Sequence, residues 1–366
     1  MQGLTRAKAY TLFMVLALLA LGELLASAFF TLNASRFHFP DFARCTATPD
    51  EIERAQRSYS RELGWQILYS TPFGERPRAR EHQRPWVSVY GDSFTHGDEV
   101  AHDQTWAEVL SATLEADVYN FGISAYGMDQ TLLRFEGNFA ERPTDIVVFG
   151  YISYDIERNV SVYWKFQQPE SEIVYTKPRF RLEDGSLTLV PNPVTRREDM
   201  AKLLEPEFIR EIALLDDWAS PDRRPELGFP YLRLLFHPSI WDVALRWGRN
   251  PDLWSLESPK RLAEEILLRF DRGARAQNAK PVIVLFPVLW ELIAWSEHRE
   301  TPPSHRALEA LCERHKLRCL MPLQEMGDRP TEEIAKLFTQ GLDGGHYSPQ
   351  GNAWIARWLA QELGST

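Results

Sequence analysis

The stretch WVSVYGDSFTHG (residues 86–97) decides the fold. Its first five residues, 86–90, are rich in β-branched and aromatic side chains and predict a strand. Gly91 and Asp92 predict a tight turn, with the Asp92 carboxylate tying it down rather than entering any chemistry. Ser93 stands directly after that turn. A serine hydroxyl is a poor nucleophile until a base takes its proton, and the base must be held in one tautomer by an acceptor. Far downstream, DGGH (residues 343–346) supplies an aspartate and a histidine three apart, just before the last predicted helix. Ser93, His346 and Asp343 are therefore the candidates for nucleophile, base and orienting carboxylate.

Outward from this strand the pattern alternates. It predicts a helix over 104–115, a strand over 117–121 and a helix over 129–140. DIVVFGY (residues 145–151) then reads as a third strand, apolar enough to be buried on both faces. After a long interruption the alternation resumes: helix 259–276, strand 281–286, helix 305–315, strand 318–323, helix 331–339 and a closing helix over 349–363. Five strands with intervening helices predict a parallel sheet covered on both faces, an α/β fold. The interruption, roughly residues 160–256, leaves from the end of the third strand and predicts a subdomain above the carboxyl edge of the sheet. It contains a hairpin signal, FRLEDGSLTLV (180–190), around Asp184 and Gly185. Helical, tryptophan-rich patches follow near 200–218 and 230–247. Ligands of open α/β sheets bind at the carboxyl ends of the strands. Ser93, Gly122 and residues 151–155 all follow such ends.

The composition narrows the field. Of 366 residues 44% are hydrophobic and 25% charged, as in an ordinary globular protein. The net charge of -10, with no basic tract, excludes a nucleic-acid partner. His96, Asp98, Glu99, His102 and Asp103 cluster without a recognised metal spacing and are read as a solvated loop, so neither a metal nor a cofactor is expected. His315 and Cys319 read as structural. Twelve tryptophans and twenty phenylalanines read mainly as core, with a minority available to line a carbohydrate or acyl cleft. Cys312 and Cys319 are able to pair in an oxidising compartment, which leaves Cys45 over.

Residues 10–31 are apolar except for Glu23, long enough to cross a bilayer as a helix. Arg6 and Lys8 precede them, which places the N-terminus in the cytoplasm and the bulk of the chain outside. A cleaved signal peptide is the competing reading, with Ala26-Ser27-Ala28 as the small-residue site. The apolar run continues through Phe29, Phe30 and Leu32, which favours an uncleaved anchor. Glu23 is costly in a span and marks either a helix contact or an interfacial position. The expected organisation is an anchor over 1–32, a stalk and domain edge over 33–85, and a catalytic domain over 86–366 with the insertion at about 160–256.

GDSFTHG (91–97), NFGISAYGMDQ (120–130), a buried strand ending in a polar turn, and DGGH (343–346) together resemble the ordered blocks of the SGNH (GDSL-type) hydrolase family. The resemblance runs from about residue 86 to 363. It implies a three-layer α/β/α sandwich of flavodoxin-like type around a parallel sheet of about five strands. It also implies that Ser93 is the nucleophile and one oxyanion donor through its N–H. Gly122 would be a second donor, His346 the base and Asp343 its orienter. One block departs. The family carries an oxyanion asparagine after the third strand, whereas this chain reads Gly150-Tyr151-Ile152-Ser153-Tyr154-Asp155, with Tyr154 at the asparagine's place. Tyr154 or Ser153 would have to donate through a hydroxyl, and Asn159 lies one turn on.

The function expected is a membrane-anchored extracytoplasmic serine esterase acting on an O-acyl ester, of a carbohydrate or envelope polymer. An O-acyltransferase passing the acyl group to a sugar hydroxyl is the alternative; the C-terminal position of the Asp-His pair tilts towards hydrolysis. A non-catalytic envelope scaffold is a third reading, favoured by Tyr154 alone.

Overall fold

The computed structural model describes residues 2–364 apart from 38, 40, 68, 80, 83, 84, 221–224 and 246–251. Trp247, the end of the second tryptophan-rich patch, lies outside the described residues. Besides a two-residue pairing of Tyr59–Ser60 with Gly64–Trp65, the strands among the described residues are β1 Pro85–Tyr90, β2 Asp117–Asn120, β3 Ile146–Tyr151, β4 Arg179–Glu183, β5 Ser186–Val190, β6 Lys280–Leu285 and β7 Cys319–Leu320. Five of them form one sheet in the order β2-β1-β3-β6-β7. Every pairing in it is parallel.

The two-residue period of a strand divides the core. Val87, Val89, Ile146, Val148, Val282 and Val284 face one layer, against helices Trp106–Leu114, Leu289–His298 and Pro349–Gly364. Tyr90, Val147, Phe149, Tyr151, Ile283 and Leu285 face the other, against Met128–Asn138, Glu257–Ala276 and Pro303–His315. The result is the three-layer α/β/α sandwich that the sequence predicts. Phe149 and Phe270 meet at 5.0 Å between ring centres on the second face. Truncating either to alanine would cost about 3–5 kcal/mol.

Element boundaries differ where a single residue overrides the pattern. The strand expected over 318–323 pairs only at Cys319 and Leu320. Pro322 cannot donate to a ladder, and a short helix, Leu323–Gly327, takes over. The helix expected from 104 begins at Trp106, because the Thr105 side chain caps it. The patch over 200–218 is a 3₁₀ segment, Arg197–Leu204, followed by an α-helix from Pro206 to Ala213. Pro206 at the first helical position separates the two. The predicted hairpin forms as β4 and β5, with Asp184 and Gly185 both at positive φ, as a two-residue turn requires.

The segment read as a stalk and domain edge is in part a packed unit. Phe42, Cys45, Ala47 and Ile52 share a core with Val162, Tyr163, Val194, Met200 and Ile209 of the insertion. Helix Pro49–Gln56 opens with a reciprocal cap between Thr48 and Glu51. Cys312 and Cys319 are disulfide-bonded, while Cys45 is free and buried. Burial pushes the Cys45 thiol up to about 12.

The N-terminal helix α1, Gln2–Leu32, includes a 25-residue stretch from Lys8 that is long and apolar enough to cross a membrane. Its Glu23 carboxylate accepts the backbone N–H groups of Tyr231 and Leu232, the latter at 3.0 Å. The polar residue in the apolar run is thus a contact between α1 and the insertion.

Candidate active site

Ser93 opens the short helix α2, Ser93–His96, at the carboxyl end of β1. Asp92 caps α2, its Oδ1 accepting from Phe94 N at 3.0 Å and Thr95 N at 3.3 Å. The turn is tight because Gly91 admits Thr95: a Cβ on Gly91 would come within 2.8 Å of Thr95 Cβ. Ser93 is buried, and neither its hydroxyl nor its N–H has a hydrogen-bond partner among the described residues. An oxygen free to attack and an N–H free to receive an oxyanion are thus held at one corner of the sheet.

His346 approaches from the far end of the chain. The Phe94 ring packs against its imidazole at 5.0 Å and against Tyr347 at 4.9 Å. Asn352 fixes this approach. Its Oδ1 accepts from Trp106 N at 2.9 Å, and its Nδ2 donates to Tyr347 O at 2.7 Å. Trp106 in turn donates from Nε1 to Phe94 O at 2.8 Å. One buried amide therefore joins the helix after the serine to the loop that carries the histidine. No hydrogen bond joins Ser93 and His346 directly among the described residues; such catalytic contacts are often loose before substrate binds.

The carboxylate at the imidazole is Glu99. Its Oε1 lies 3.0 Å from His346 Nδ1, in ion-pair rather than hydrogen-bond geometry. Its Oε2 accepts from His346 N at 3.3 Å and from the Thr339 hydroxyl. Burial alone would raise the Glu99 pKa, but the hydrogen bonds from Thr339 and His346, together with the imidazole's charge, hold it below the ordinary glutamate value. Glu99 occupies the left-handed region at φ 66°, a strained backbone for a side-chain-bearing residue. The Asp343 of the sequence reading is not at this position. It ends the 3₁₀ turn Gly341–Asp343 and is exposed, without a side-chain partner among the described residues. The reason is local: Gly344 and Gly345 both have positive φ and turn the chain between Asp343 and His346. Gly345 also admits Glu99, whose Oε2 would lie 3.0 Å from a Cβ there.

Two further expectations change. The N–H of Gly122 donates to Asn120 Oδ1 at 2.9 Å and is committed there, not open to an oxyanion. Gly122 is glycine because a Cβ would come within 2.5 Å of His96 N. In the same loop, the N–H groups of Ser124 and Ala125 have no acceptor among the described residues, and Ala125 lies at φ 66°. Tyr154, at the place of the expected asparagine, is exposed, its ring 6.3 Å from that of Trp290. Ser153 is buried and its backbone oxygen accepts from Trp254 Nε1 at 2.8 Å; Asn159 is buried and accepts from Asp129 N at 3.3 Å.

The loop read as solvated is only partly so. His96 is buried, with Nε2 2.6 Å from Tyr69 OH and Nδ1 bonded to Asp98, whose Oδ1 also accepts from Ser124 Oγ at 2.9 Å. No group of three metal-ligating side chains occurs among the described residues.

Beneath Ser93, Asp92 and Asp155 are both buried beside Arg158, at 3.9 Å and 2.6 Å. Burial raises the pKa of each; Arg158 opposes the shift, and the charge of Asp92 adds to that of Asp155. One cation between two buried carboxyls favours a single negative charge on the pair. Close by, burial raises Glu291 to about 7 and lowers His305 to about 4. Although 3.8 Å apart, these two are not an ion pair, because burial keeps the His305 imidazole neutral.

Glu99, Asn352 and Ala125 are the residues that sequence reasoning missed. For Glu99 the sole signal was its place in the block, six residues after Ser93; for Asn352, a buried amide in the last helix; for Ala125, none.

No protein-family model and no curated protein matches the chain. Among solved structures it is similar to a member of the lipolytic protein G-D-S-L family from Veillonella parvula DSM 2008, at 10% identity and a TM-score of 0.35, over 76% of this chain and 96% of that one. It is similar to an acetyl xylan esterase at 11% identity and a TM-score of 0.41, over 76% and 98%. It is likewise similar to the lipase/acylhydrolase from Enterococcus faecalis at 12% identity and a TM-score of 0.37, over 77% and 95%. The fold itself stands on the chain's own sheet: five parallel strands in the order β2-β1-β3-β6-β7, with helices on both faces.

Proposed function

We propose that the chain is a membrane-anchored serine esterase of SGNH type, which hydrolyses an O-acyl ester of a carbohydrate or envelope polymer outside the cytoplasm. The observation that carries this reading is the Ser93 corner: a serine whose hydroxyl and N–H have no partner among the described residues, at the carboxyl edge of the sheet and next to Phe94, whose ring packs on an imidazole that meets a carboxylate at Nδ1. In this reading His346 Nε2 takes the Ser93 proton as Oγ attacks the ester carbonyl. The oxyanion is received by Ser93 N–H, with the open amides of Ser124 and Ala125 as the further donors. His346 then gives its proton to the departing alkoxide, leaving an acyl-serine. Water, deprotonated by the same imidazole, releases the acid. Glu99 keeps the Nδ1 proton in place and stabilises the imidazolium. Each oxyanion donor is worth about a hundred- to a thousandfold in rate.

The anchor reading is supported by Arg6 and Lys8 ahead of the apolar run. It is supported against cleavage by Ala26, which is buried on the insertion within an unbroken helix. The Cys312–Cys319 disulfide suits an oxidising compartment. A carbohydrate substrate is supported by the exposed rings of Tyr154 and Trp290 at the carboxyl ends of β3 and β6.

A fluorophosphonate probe tests the mechanism: it should label the native chain and not Ser93→Ala, and labelling of the variant would overturn it. A nitrophenyl acetate assay with and without an acceptor sugar separates hydrolysis from transfer. A reporter fused to the C-terminus, active only outside the cytoplasm, tests the orientation.

A further inference from the structure

The insertion segment that docks on α1 leaves a row of large apolar side chains uncovered. Phe229 is 80% exposed, Phe236 84%, Trp241 54% and Leu245 80%. Phe229 precedes a 3₁₀ turn, Tyr231–Phe236, that carries Phe236, while Trp241 and Leu245 lie on the helix Pro238–Leu245. Its inner face is fully engaged. Leu234 and Ile240 share a small core with Ala26, Phe30 and Phe37, and Leu232 touches Gly22 at 3.5 Å from where a Cβ would stand. On α1 itself the residues at helical spacing, Gly22, Glu23, Ala26 and Phe30, meet the insertion, while Leu21, Leu24, Leu25, Phe29 and Leu32 stay exposed. Both elements thus carry apolar side chains outside their shared contact.

Depth follows from helix geometry. At 1.5 Å per residue, a hydrocarbon layer of about 30 Å takes up about 20 residues, fewer than the 25 of the apolar stretch. If the cytoplasmic boundary lies near Lys8, the outer one falls near residue 28, and Glu23 sits about 7 Å inside it. The two N–H groups that Glu23 accepts are then at the same depth, where no water would satisfy them. An exposed Glu there would be costly, and so would exposed backbone N–H groups; each removes the other's penalty.

We propose that residues 229–245 are a second membrane-contacting element, lying in the outer interface beside α1 with Phe229, Phe236, Trp241 and Leu245 in the lipid. The proposal rests on the reading of α1 as an uncleaved anchor. Aromatic and aliphatic side chains of this kind typically enter the headgroup–acyl boundary by about 5–10 Å. The element would hold the insertion, and with it the carboxyl edge of the sheet, at a fixed attitude to the membrane.

The test uses the full-length chain with Cys45→Ser, reconstituted in vesicles of phosphatidylethanolamine and phosphatidylglycerol. An environment-sensitive dye is attached at Phe236→Cys, at Trp241→Cys, or at Leu189→Cys, a control on the exposed β5. Phospholipids brominated near the headgroup end of the acyl chain serve as quenchers. Quenching several-fold stronger at 236 and 241 than at 189 is expected. Equal quenching at all three sites, in chains whose intact mass retains residues 1–32 and which resist alkaline extraction, overturns the proposal and leaves the anchor standing. A mature chain lacking residues 1–32 overturns both.

Discussion

Glu99 Oε1 lies 3.0 Å from His346 Nδ1, although the two residues are 247 positions apart. The contact is built from unusual backbone at both ends: Glu99 strained at φ 66° on one side, two glycines at positive φ, where glycine alone is unstrained, on the other. Backbone of this kind persists where surrounding contacts over-determine it. Here Thr339 and the His346 N–H supply those contacts.

Glu99→Gln should therefore leave the fold intact and lower kcat by up to about 10⁴-fold, the cost of a misplaced tautomer in a serine triad. Asp343→Asn, which alters an exposed side chain, should leave turnover close to that of the native chain. Steady-state kinetics on a short-chain nitrophenyl ester check both. The reverse ranking would return the orienting role to Asp343.

Asn352→Ala should lower both stability and turnover. It strips the buried Trp106 N–H and the Tyr347 carbonyl of their partner, at about 1–3 kcal/mol for each group left unsatisfied. Thermal unfolding measures the first effect, and kcat with KM unchanged identifies the second as a displaced imidazole.

Trp290→Ala should raise KM for an acylated oligosaccharide and leave turnover of nitrophenyl acetate unchanged. Tyr154→Phe and Tyr154→Asn should both be mild on the small ester, because residue 154 is exposed beside Trp290 rather than pointed into a hole. A large gain in kcat from Tyr154→Asn would reinstate it as the missing oxyanion position.

Glu291 makes stability depend on pH in a direction opposite to most carboxylates. Burial raises its folded pKa from 4.5 to about 7. The folded state thus binds the proton more tightly, and stability falls as pH rises from about 4.5 to about 7. The span corresponds to roughly 3 kcal/mol at the upper end. His305, lowered to about 4, acts in the other direction and costs stability as pH falls below 6.5. Glu291→Gln should therefore be more thermostable than the native chain at pH 8 and lose that advantage by pH 4.5, as followed by calorimetry.

The fold was legible because β1, β3 and β6 are runs of Val, Ile and aromatic residues that only a sheet buried on both faces accommodates. The hairpin at Asp184 and Gly185 was legible from turn chemistry alone. Ser93 and His346 were visible as motif residues; the place of Ser93 followed from β1 ending on that edge, whereas His346 is brought in by a loop held through Asn352. The carboxylate that meets His346 Nδ1 was not legible. DGGH presents an aspartate at an attractive spacing, but two consecutive left-handed glycines decouple it from the histidine, and φ angles are not written in spacing. Glu99 was hidden for the complementary reason, since its neighbours His96, Asp98, His102 and Asp103 made the whole loop look solvated. The partner of the Gly122 N–H, the Asn120 side chain folded back on it, was not legible either, because a glycine in a sequence does not say what its amide meets.

The Asn352 bridge has a consequence for the life of the chain before it is finished. The strand, turn and serine are made long before the amide that draws the histidine loop onto them; Trp106, which that amide holds, precedes it by 246 residues. Chains generally fold from their N-terminus as they are synthesised. A growing chain that has made β1 and Ser93 thus still lacks the bridge from Asn352. Activity would switch on only once the last helix, Pro349–Gly364, closes against Trp106–Leu114. Loss of the last helix would therefore free the histidine loop and, at the same time, uncover the face of the sheet on which Ile355, Ala356 and Leu359 are buried.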